Sequence, residues 1–442
     1  MSFRPTRRQF VAAAAALSVC AVPTPARAVG LDARDAGLVP GGGDQTRAFQ
    51  DALDRARRSG QPLILPAGDI AVSRVELGSL DHIIGLPGRS RLVPSGTGPL
   101  LMARGATGVR IEGVAFDAPS AGPTDADGLI DLEGVSRLVL RDCDLGRTRG
   151  HGARLIASGG EIANNRFRNA EASALFSMDS TGLLIDGNEV TDCYDNGLLV
   201  WRSNRGEDGS IIRGNRIARI GAVSGGEGQW GNGINLYRAG SVIVSNNRIE
   251  DCEFSAVRIN SGPNCQIVGN NCSRLGEVAM YAEFAFDGAV IANNLISQAA
   301  LGISVTNFND GGRLAVVSGN MVRDLFTRDH WESRGVGISV EADAILEANV
   351  VENAPVLGLN LGWGRYLRNV LARGNLVRNT PIGLSVSVAD GAGRAVIRDN
   401  LFENTPTGAI IGMDHDDVVT GDLLDASDLP ANVDLDGNVE TG

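Results

Sequence analysis

Short alternating apolar runs of four or five residues recur along most of the chain. Each run opens with Gly or Ala, as in segments 197–201, 233–237, 302–306 and 383–387. Alternation with a period of two is typical of β-strands, and no helical stripe of apolar residues competes with it in these segments. The pattern therefore predicts a chain built from short strands.

An asparagine marks the same point of each repeat, two residues before an apolar residue. Cys143 and Val114 fill this position upstream, and successive members of the series are about 26 residues apart on average. The asparagines of the series are Asn165, Asn188, Asn215, Asn247, Asn271, Asn294, Asn320, Asn349, Asn375 and Asn400. This spacing is typical of stacked supersecondary units, so most of the chain is predicted to be one solenoid.

Three short strands and three bends fit into a repeat of this length only if the chain coils on itself. The sequence thus predicts an all-β fold, a single-stranded parallel β-helix of about 12 turns, each about 4.8 Å above the last. Asparagine suits the bends because it tolerates left-handed backbone. Stacked asparagines can also bond one another in a buried ladder.

Residues 29–108 carry a different pattern, which predicts an amphipathic helix over about residues 46–58 behind an Asp44 cap. Its apolar positions at helical spacing are Ala48, Phe49, Ala52, Leu53 and Ala56. Because the open end of a solenoid must be covered, this segment is predicted to be an N-terminal capping helix with the first turns. The β-helix is then expected over 109–412. Residues 413–442 are predicted to be an acidic C-terminal tail or cap without the repeat.

The first 28 residues are predicted to be a twin-arginine signal peptide. Arg7 and Arg8 precede an apolar, alanine-rich stretch, and cleavage is expected after Ala28. This predicts a periplasmic or secreted protein that meets the twin-arginine export machinery. The apolar stretch is too short to span a membrane comfortably, so an integral membrane protein is not expected.

The start of the mature chain resembles a known superfamily. A glycine-rich turn, Asp44 and Thr46, the predicted helix and the segment from Leu63 to Gly68 resemble the beginning of pectate-lyase-like, right-handed parallel β-helix proteins. With its leader, the whole chain resembles the twin-arginine-translocated repetitive proteins. The resemblance implies a right-handed β-helix. It leaves activity open, because the superfamily includes lyases, hydrolases, epimerases and adhesins.

Charge and cysteine content narrow the possible partners. The chain has 52 acidic and 40 basic residues, and all of the basic residues are arginine, so nucleic acid is not expected as a partner. Five cysteines follow the leader, and alignment of the repeats places Cys193 and Cys252 two turns apart, too far for a disulfide. Buried free thiols are therefore expected, with no metal site and no cofactor.

Alignment of the repeats also predicts a ligand-binding patch about four turns long, on the outward side of the strands that open with Gly or Ala. Its members are Trp201, Asn235, Tyr237, Arg258, Asn260, Tyr281 and Glu283. Exposed aromatic rings stack on sugar faces, and polar groups bond hydroxyls and carboxylates. Insertions at 221–232 and 326–334 are predicted to wall the patch and to bring Glu227, Trp230, His330 and Trp331 close. The alternative is aromatic stacking that only strengthens the sheet, or cover of the patch by a loop.

Catalysis is assigned to Glu283, Tyr281 and Arg258. Hydrolysis would need a second carboxylate, Glu341 or Glu227, whereas a lyase or epimerase would use Tyr281 or His330 as base and Arg258 to neutralise a uronate. Substrate binding is assigned to Trp201, Asn235, Tyr237, Asn260, Glu341, Trp230 and His330, while His82 and His415 are expected outside the groove. The expected ligand is a polysaccharide or oligosaccharide, with cleavage and epimerisation left open. The alternative is a non-catalytic envelope binding or scaffold protein.

Overall fold

The computed structural model of the protein describes residues 30–119, 122–123, 127–226, 228–328 and 335–441. The predicted signal peptide lies outside these residues, as do Glu227, His330 and Trp331. Export therefore stays a prediction from the sequence. Within the described residues, no helix is both long enough and apolar enough to cross a membrane.

The described chain coils into a parallel β-solenoid of about 13 turns, which confirms the predicted fold class. Each full turn passes through three strands, which stack on the strands of the next turn to give three columns. The first column is one sheet, with its strands at Leu31–Asp32, Leu63–Ile64, His82–Ile84, Arg110–Glu112, Leu138–Arg141, Gly160–Ala163, Leu184–Asp186, Ile211–Arg213, Ile243–Ser245, Pro263–Val268, Asp287–Ala292, Arg313–Ser318, Ala344–Glu347, Val370–Arg373, Ala395–Arg398 and Val433–Asp436.

The second and third columns together form the larger sheet. The second column has strands at Gly68–Val72, Ser90–Pro94, Ala115–Phe116, Asp144–Leu145, Arg166–Arg168, Glu189–Cys193, Arg216–Ile220, Arg248–Cys252, Met321–Arg323, Val350–Glu352, Leu376–Arg378, Leu401–Glu403 and Val439–Thr441. The third column has strands at Val75–Leu77, Leu101–Arg104, Gly128–Glu133, His151–Ile156, Ser173–Met178, Asn196–Glu207, Asn232–Gly240, Val257–Asn260, Val336–Val340, Leu357–Leu361, Ile382–Ser387 and Gly408–Asp414. Two strands, Asn271–Glu283 and Leu295–Val305, run from the second column into the third.

A helix at Thr46–Ser59 lies before the first complete turn, which confirms the predicted helix near the N-terminus. Its apolar side chains Phe49, Ala52, Leu53 and Ala56 are buried in the core. The cap differs from the prediction: Gln45 is the N-cap residue, while the Asp44 carboxylate accepts the Thr46 N–H at 2.9 Å. Short 3-10 helices lie at Ala33–Ala36, Phe308–Asp310 and Gly364–Tyr366.

A buried ladder of asparagines runs along the bend between the first and second columns of the solenoid. The Oδ1 atom of each asparagine accepts both the backbone N–H and the Nδ2–H of the asparagine one turn before it. Asn294, for example, accepts at 2.9 and 3.0 Å and donates its own Nδ2–H to Asn320 at 2.9 Å and to the Ile267 carbonyl at 2.9 Å. Every amide is therefore satisfied inside the core, where an unpaired amide would be costly.

The ladder corrects two expectations from the sequence. Asn270, which is 1% exposed, occupies the predicted position of Asn271, and Asn271 points outward. The ladder also continues past Asn400 to Asn438, because strands Val433–Asp436 and Val439–Thr441 add a further turn. The tail is therefore not free of the repeat. Before this turn, strand Asp417–Asp422 folds back antiparallel on Gly408–Asp414.

A second ladder runs along the outside of the next bend. Arg219 binds Asp192 and Arg274 binds Asp251, each with a shortest N–O distance of 2.6 Å, at backbone positions with φ of 57–58°. Asn353, Asn379 and Asn404 continue the column through side-chain hydrogen bonds. Because these pairs are exposed, each contributes little to stability.

The five cysteines in the described residues are buried and free, as predicted. Cys193 pairs in register with Ile220, which pairs with Cys252, so these two thiols are two turns apart.

Asn270→Ala is expected to lower the free energy of unfolding by about 2 to 4 kcal/mol, because it leaves several buried groups of Asn247 and the Val244 carbonyl without partners. Asn271→Ala is the matched control, and its effect should stay within about 0.5 kcal/mol. Urea denaturation of both variants measures the difference. A larger loss for Asn271→Ala would contradict the assignment of Asn270 to the ladder.

Candidate functional site

Two rows of side chains point outward from the third column, in the register that the sequence predicted. Row one consists of Phe176, Leu199, Asn235, Arg258, Tyr281, Ser304, Ser339, Asn360 and Ser385. Row two consists of Met178, Trp201, Tyr237, Asn260 and Glu283, and Thr306 and Glu341 continue it. The predicted patch residues therefore do share one face.

The prediction that this patch is exposed is wrong for four of its members. Asn235 is 4%, Arg258 6%, Tyr281 6% and Glu283 2% exposed. Trp201, Tyr237 and Asn260 remain partly exposed. The middle of the patch is therefore buried, whereas its N-terminal end is partly exposed.

A closed ion-pair cluster explains the burial of Arg258. Its Nε and Nη2 atoms donate to the two carboxylate oxygens of Glu283 at 2.6 and 2.9 Å, and its Nη1 atom lies 3.5 Å from Glu277 Oε2. Asn260 donates to Glu283 at 3.1 Å, and the guanidinium carbon lies 4.8 Å from the centre of the Tyr281 ring. Burial alone would lower the pKa of Arg258, but the Glu283 and Glu277 carboxylates outweigh it and raise that pKa. Arg258 and Glu283 are thus bound to each other.

The 221–232 insertion covers this cluster. Gly228 packs directly on Arg258, and a Cβ atom at Gly228 would lie 1.8 Å from Arg258 Nη1. Its φ of 103° also favours glycine. The insertion was predicted to form a wall beside the patch; it forms a cover over row one instead, which agrees with the alternative of loop cover.

Four polar side chains hold the insertion in place. Asp195 accepts the Ser224 N–H at 2.8 Å, and Asn232 donates to the Gly228 carbonyl at 2.9 Å. Asn196 and Asn235 donate to the Gln229 carbonyl at 3.2 and 3.5 Å. Asn235, predicted to bind substrate, therefore contacts the cover, and Trp230 lies in the insertion, partly exposed.

A cleft of about 830 Å³ opens on the same face, on the C-terminal side of the buried cluster. Its floor is an apolar row formed by Val278, Leu301, Val336, Leu357 and Ile382. Row one contributes Tyr281, Ser304, Ser339 and Asn360, and row two contributes Thr306 and Glu341. The remaining lining residues are Thr327, Arg328, Val356, Trp363, Met413, His415 and Asp416.

Hydrogen bonds fix the polar groups of the cleft. Asn360 donates to Ser339 Oγ at 2.9 Å and accepts from Ser385 Oγ at 2.7 Å. Glu341 accepts the Thr306 hydroxyl at 2.5 Å and the Phe308 N–H at 3.1 Å. These side chains are therefore preorganised, which lowers the entropy cost of binding a ligand.

Trp363 and His415 form an aromatic corner of the cleft. Their ring centroids are 5.1 Å apart and the rings are nearly perpendicular, at 87°. Gly364 lies against the His415 ring, where a Cβ atom would be 2.4 Å from Nε2. A side chain at position 364 would therefore displace the His415 ring, and the φ of 53° at Gly364 also favours glycine.

The cleft contains only part of the predicted site. Tyr281 and Glu341 line the cleft, whereas Arg258 and Glu283 are buried beside it. His415 was expected outside the groove, and this expectation is wrong, because the hairpin at 408–422 carries it to the cleft. Trp363 was not among the residues predicted from the sequence. Asn360 and Ser339 align with Tyr281 in the repeats, and this alignment was the available sequence signal for the cleft.

Within the described ranges, no group of three or more His, Cys, Asp or Glu side chains is arranged to hold a metal ion. The Nδ1 atom of the partly buried His151 imidazole lies 2.7 Å from Ser173 Oγ. Burial, with a smaller contribution from Arg154, lowers the pKa of His151 to about 4.

Arg258→Ala is expected to lower the free energy of unfolding by about 3 to 5 kcal/mol, because it strands the buried Glu283 and Glu277 carboxylates. Arg219→Ala removes an exposed partner of Asp192 and should cost no more than about 1 kcal/mol. Urea denaturation of both variants measures the effect. Equal small losses would show that Arg258 is not enclosed by its partners.

Comparison with solved structures finds similar proteins at low sequence identity. Gene product 12 of bacteriophage phi29 matches with a TM-score of 0.50 and 15% identity over 86% of this chain, which spans 54% of that protein. The A-module of the mannuronan C-5 epimerase AlgE6 from Azotobacter vinelandii matches with a TM-score of 0.43 and 14% identity, covering 93% of this chain and 99% of the module. The catalytic unit of an α-1,3-glucanase from Streptomyces thermodiastaticus matches with a TM-score of 0.47 and 16% identity, covering 94% of this chain and 69% of that unit.

Sequence comparison gives a family but no individual relative. No curated protein matches the chain. The family model described as "Right handed beta helix region" matches residues 101–217 and 205–375, which is more than half of the chain. The structure over these residues is the parallel solenoid that this description names. The chain therefore belongs to the right-handed β-helix family.

Proposed function

We propose that this protein binds a polysaccharide or oligosaccharide in the cleft of the third column. The observation that carries the proposal is the composition of the cleft: an apolar floor, a row of fixed hydroxyl and amide groups, and the aromatic corner at Trp363. Aromatic and aliphatic surfaces pack against the faces of sugar rings, and hydroxyl and amide groups bond sugar hydroxyls. The cleft volume lies within the usual range for small-ligand sites, roughly 300 to 1,000 Å³.

The charges favour an uncharged sugar. Among the described residues that line the cleft, Glu341 and Asp416 are carboxylates and Arg328 is an arginine. Arg328 also lies 3.4 Å from Glu253. Arg258, which the sequence analysis assigned to a uronate carboxylate, is already neutralised by Glu283. The carboxylates of the cleft and the net negative charge of the protein would therefore disfavour an acidic glycan.

A non-catalytic binding protein is favoured over a lyase, epimerase or hydrolase that uses Arg258 and Glu283. The Glu283 carboxylate is 2% exposed and both of its oxygens are paired with the Arg258 guanidinium, so it is shielded from a ligand in the cleft. Glu341 is the predicted acid–base candidate that reaches the cleft together with Tyr281. Any turnover is therefore proposed to depend on Glu341.

Trp363→Ala is expected to weaken glycan binding by roughly tenfold or more, because a tryptophan in a binding site commonly contributes much of the affinity. The mature protein would be titrated calorimetrically with neutral glucans and mannans and with mannuronan, and product release would be followed by chromatography. Tyr366→Ala, a partly exposed aromatic residue on the same turn that does not line the cleft, is the matched control and should bind as the wild type does.

If the Trp363→Ala variant binds glycans as tightly as the wild type does, the ligand lies elsewhere and the proposed binding in the cleft is refuted. A preference for mannuronan would refute the choice of an uncharged sugar. Product that is lost in Glu341→Gln would establish catalysis, whereas binding without product would support the non-catalytic function.

We also propose that residues 1–28 direct the protein through the twin-arginine export machinery to the periplasm or beyond. The sequence of the leader supports this proposal. The net negative charge of the protein is a separate point: it disfavours binding to nucleic acid or to an anionic membrane surface.

Replacing both Arg7 and Arg8 by lysine is expected to block export, because the signal is recognised by a receptor and the charge alone does not suffice. Fractionation of cells that express the wild type or the variant measures the location of each. The folded stability of the purified mature chain should be identical for both. Unchanged export of the variant would exclude the twin-arginine route.

A further inference from the structure

The third column carries a second cluster of aromatic side chains, separate from the cleft. Phe176, Trp201 and Tyr237 lie on three successive turns and point outward. The Phe176 and Trp201 ring centroids are 5.6 Å apart, and those of Trp201 and Tyr237 are 5.8 Å apart, with edge-to-face angles of 79° and 65°. All three side chains are partly exposed. These three residues are called the aromatic platform below.

The aromatic platform and the cleft lie on one face and are joined by row two. The 221–232 insertion covers row one at Arg258, but it leaves Trp201, Tyr237 and Asn260 of row two partly exposed. Glu283, the next residue of row two, is buried. Thr306 and Glu341 follow it in row two and line the cleft. A chain lying along the solenoid axis could therefore pass beside the insertion and contact both regions.

The dimensions suit a polymer and not a short sugar. Row one takes seven steps from Phe176 to Asn360, or about 34 Å at about 4.8 Å per turn. The nearest turns of the two regions, those of Tyr237 and Tyr281, are two steps apart, or about 10 Å. A disaccharide can occupy one region, whereas a long chain reaches both.

We infer that the aromatic platform is a second glycan-binding site, and that the protein selects long, linear, uncharged polysaccharides by engaging the aromatic platform and the cleft together. The inference rests on the proposed function of the cleft. Once a chain is bound in the cleft, its free end is held at a high effective concentration near the aromatic platform. Two modest contacts linked in this way give a strong combined affinity.

The competing explanation is that the three rings only stabilise the sheet. Edge-to-face pairs stabilise neighbouring strands whether or not a ligand is present. A structural role predicts a loss of stability when a ring is removed, and no dependence of glycan affinity on chain length. A binding role predicts that the loss of affinity grows with chain length.

The test measures dissociation constants for labelled cello-, laminari-, malto- and nigero-oligosaccharides, from the disaccharide to the octasaccharide. The wild type is expected to bind octasaccharides far more tightly than disaccharides. Trp201→Ala should weaken octasaccharide binding by roughly 10- to 100-fold and disaccharide binding much less. Trp363→Ala should weaken binding at every length, and Tyr366→Ala should match the wild type. Tyr237→Ala removes another ring of the aromatic platform and replaces Trp201→Ala if that variant does not fold.

The outcomes separate the two proposals. If Trp363→Ala weakens binding but neither variant of the aromatic platform changes the dependence on chain length, the second site is refuted and the cleft stands. If the wild type binds none of these series at any length, or if Trp363→Ala binds them unchanged, the cleft is refuted and the second site with it.

Discussion

The buried asparagine ladder is the interaction on which the rest of the structure depends. An amide side chain in an apolar core must have partners, and here each asparagine finds them in the turn before and the turn after it. The requirement can be met only if successive turns keep one register. That register aligns the three columns of strands, and therefore also the outward rows of the third column. Hydrogen bonds inside the core therefore determine the position of the cleft, although they do not contact the cleft.

The fold was predictable because its signals are local and repeated. Apolar alternation gave the strands, and the spacing of asparagines gave the turn of the solenoid. The choice of Asn271 was an error of alignment, because Asn270 and not Asn271 stands two residues before an apolar residue, Cys272. The hydrogen bonds of Asn270 to both neighbouring turns agree with that pattern. The final turn was not predicted because the hairpin at 408–422 interrupts the period before Asn438.

The sequence predicted which face of the solenoid carries the site, but it did not predict which residues of that face are exposed to solvent. Aligned repeats correctly grouped Trp201, Tyr237, Arg258 and Glu283, because alternation alone decides which side of a strand a residue occupies. Whether an outward residue meets solvent depends on the insertions, whose paths do not follow the repeat. Arg258 is closed because Gly228 packs on it, and the pairing with Glu283 makes that burial tolerable. The aromatic corner depends on a contact between Gly364 and His415, 51 positions apart in the sequence, which no periodic pattern encodes.

The cysteines of the core set a condition on when the protein folds. Burial raises the pKa of Cys143, Cys193, Cys265 and Cys272 to about 12 and raises that of Cys252 as well, so all five thiols stay protonated and cannot attack a disulfide. The same thiols in an unfolded chain would have ordinary reactivity and many wrong partners. Under the proposed export, a chain that completes its solenoid before transport would keep these thiols buried by the stacked turns in an oxidising compartment. A chain that arrived unfolded would face oxidation before its core had closed.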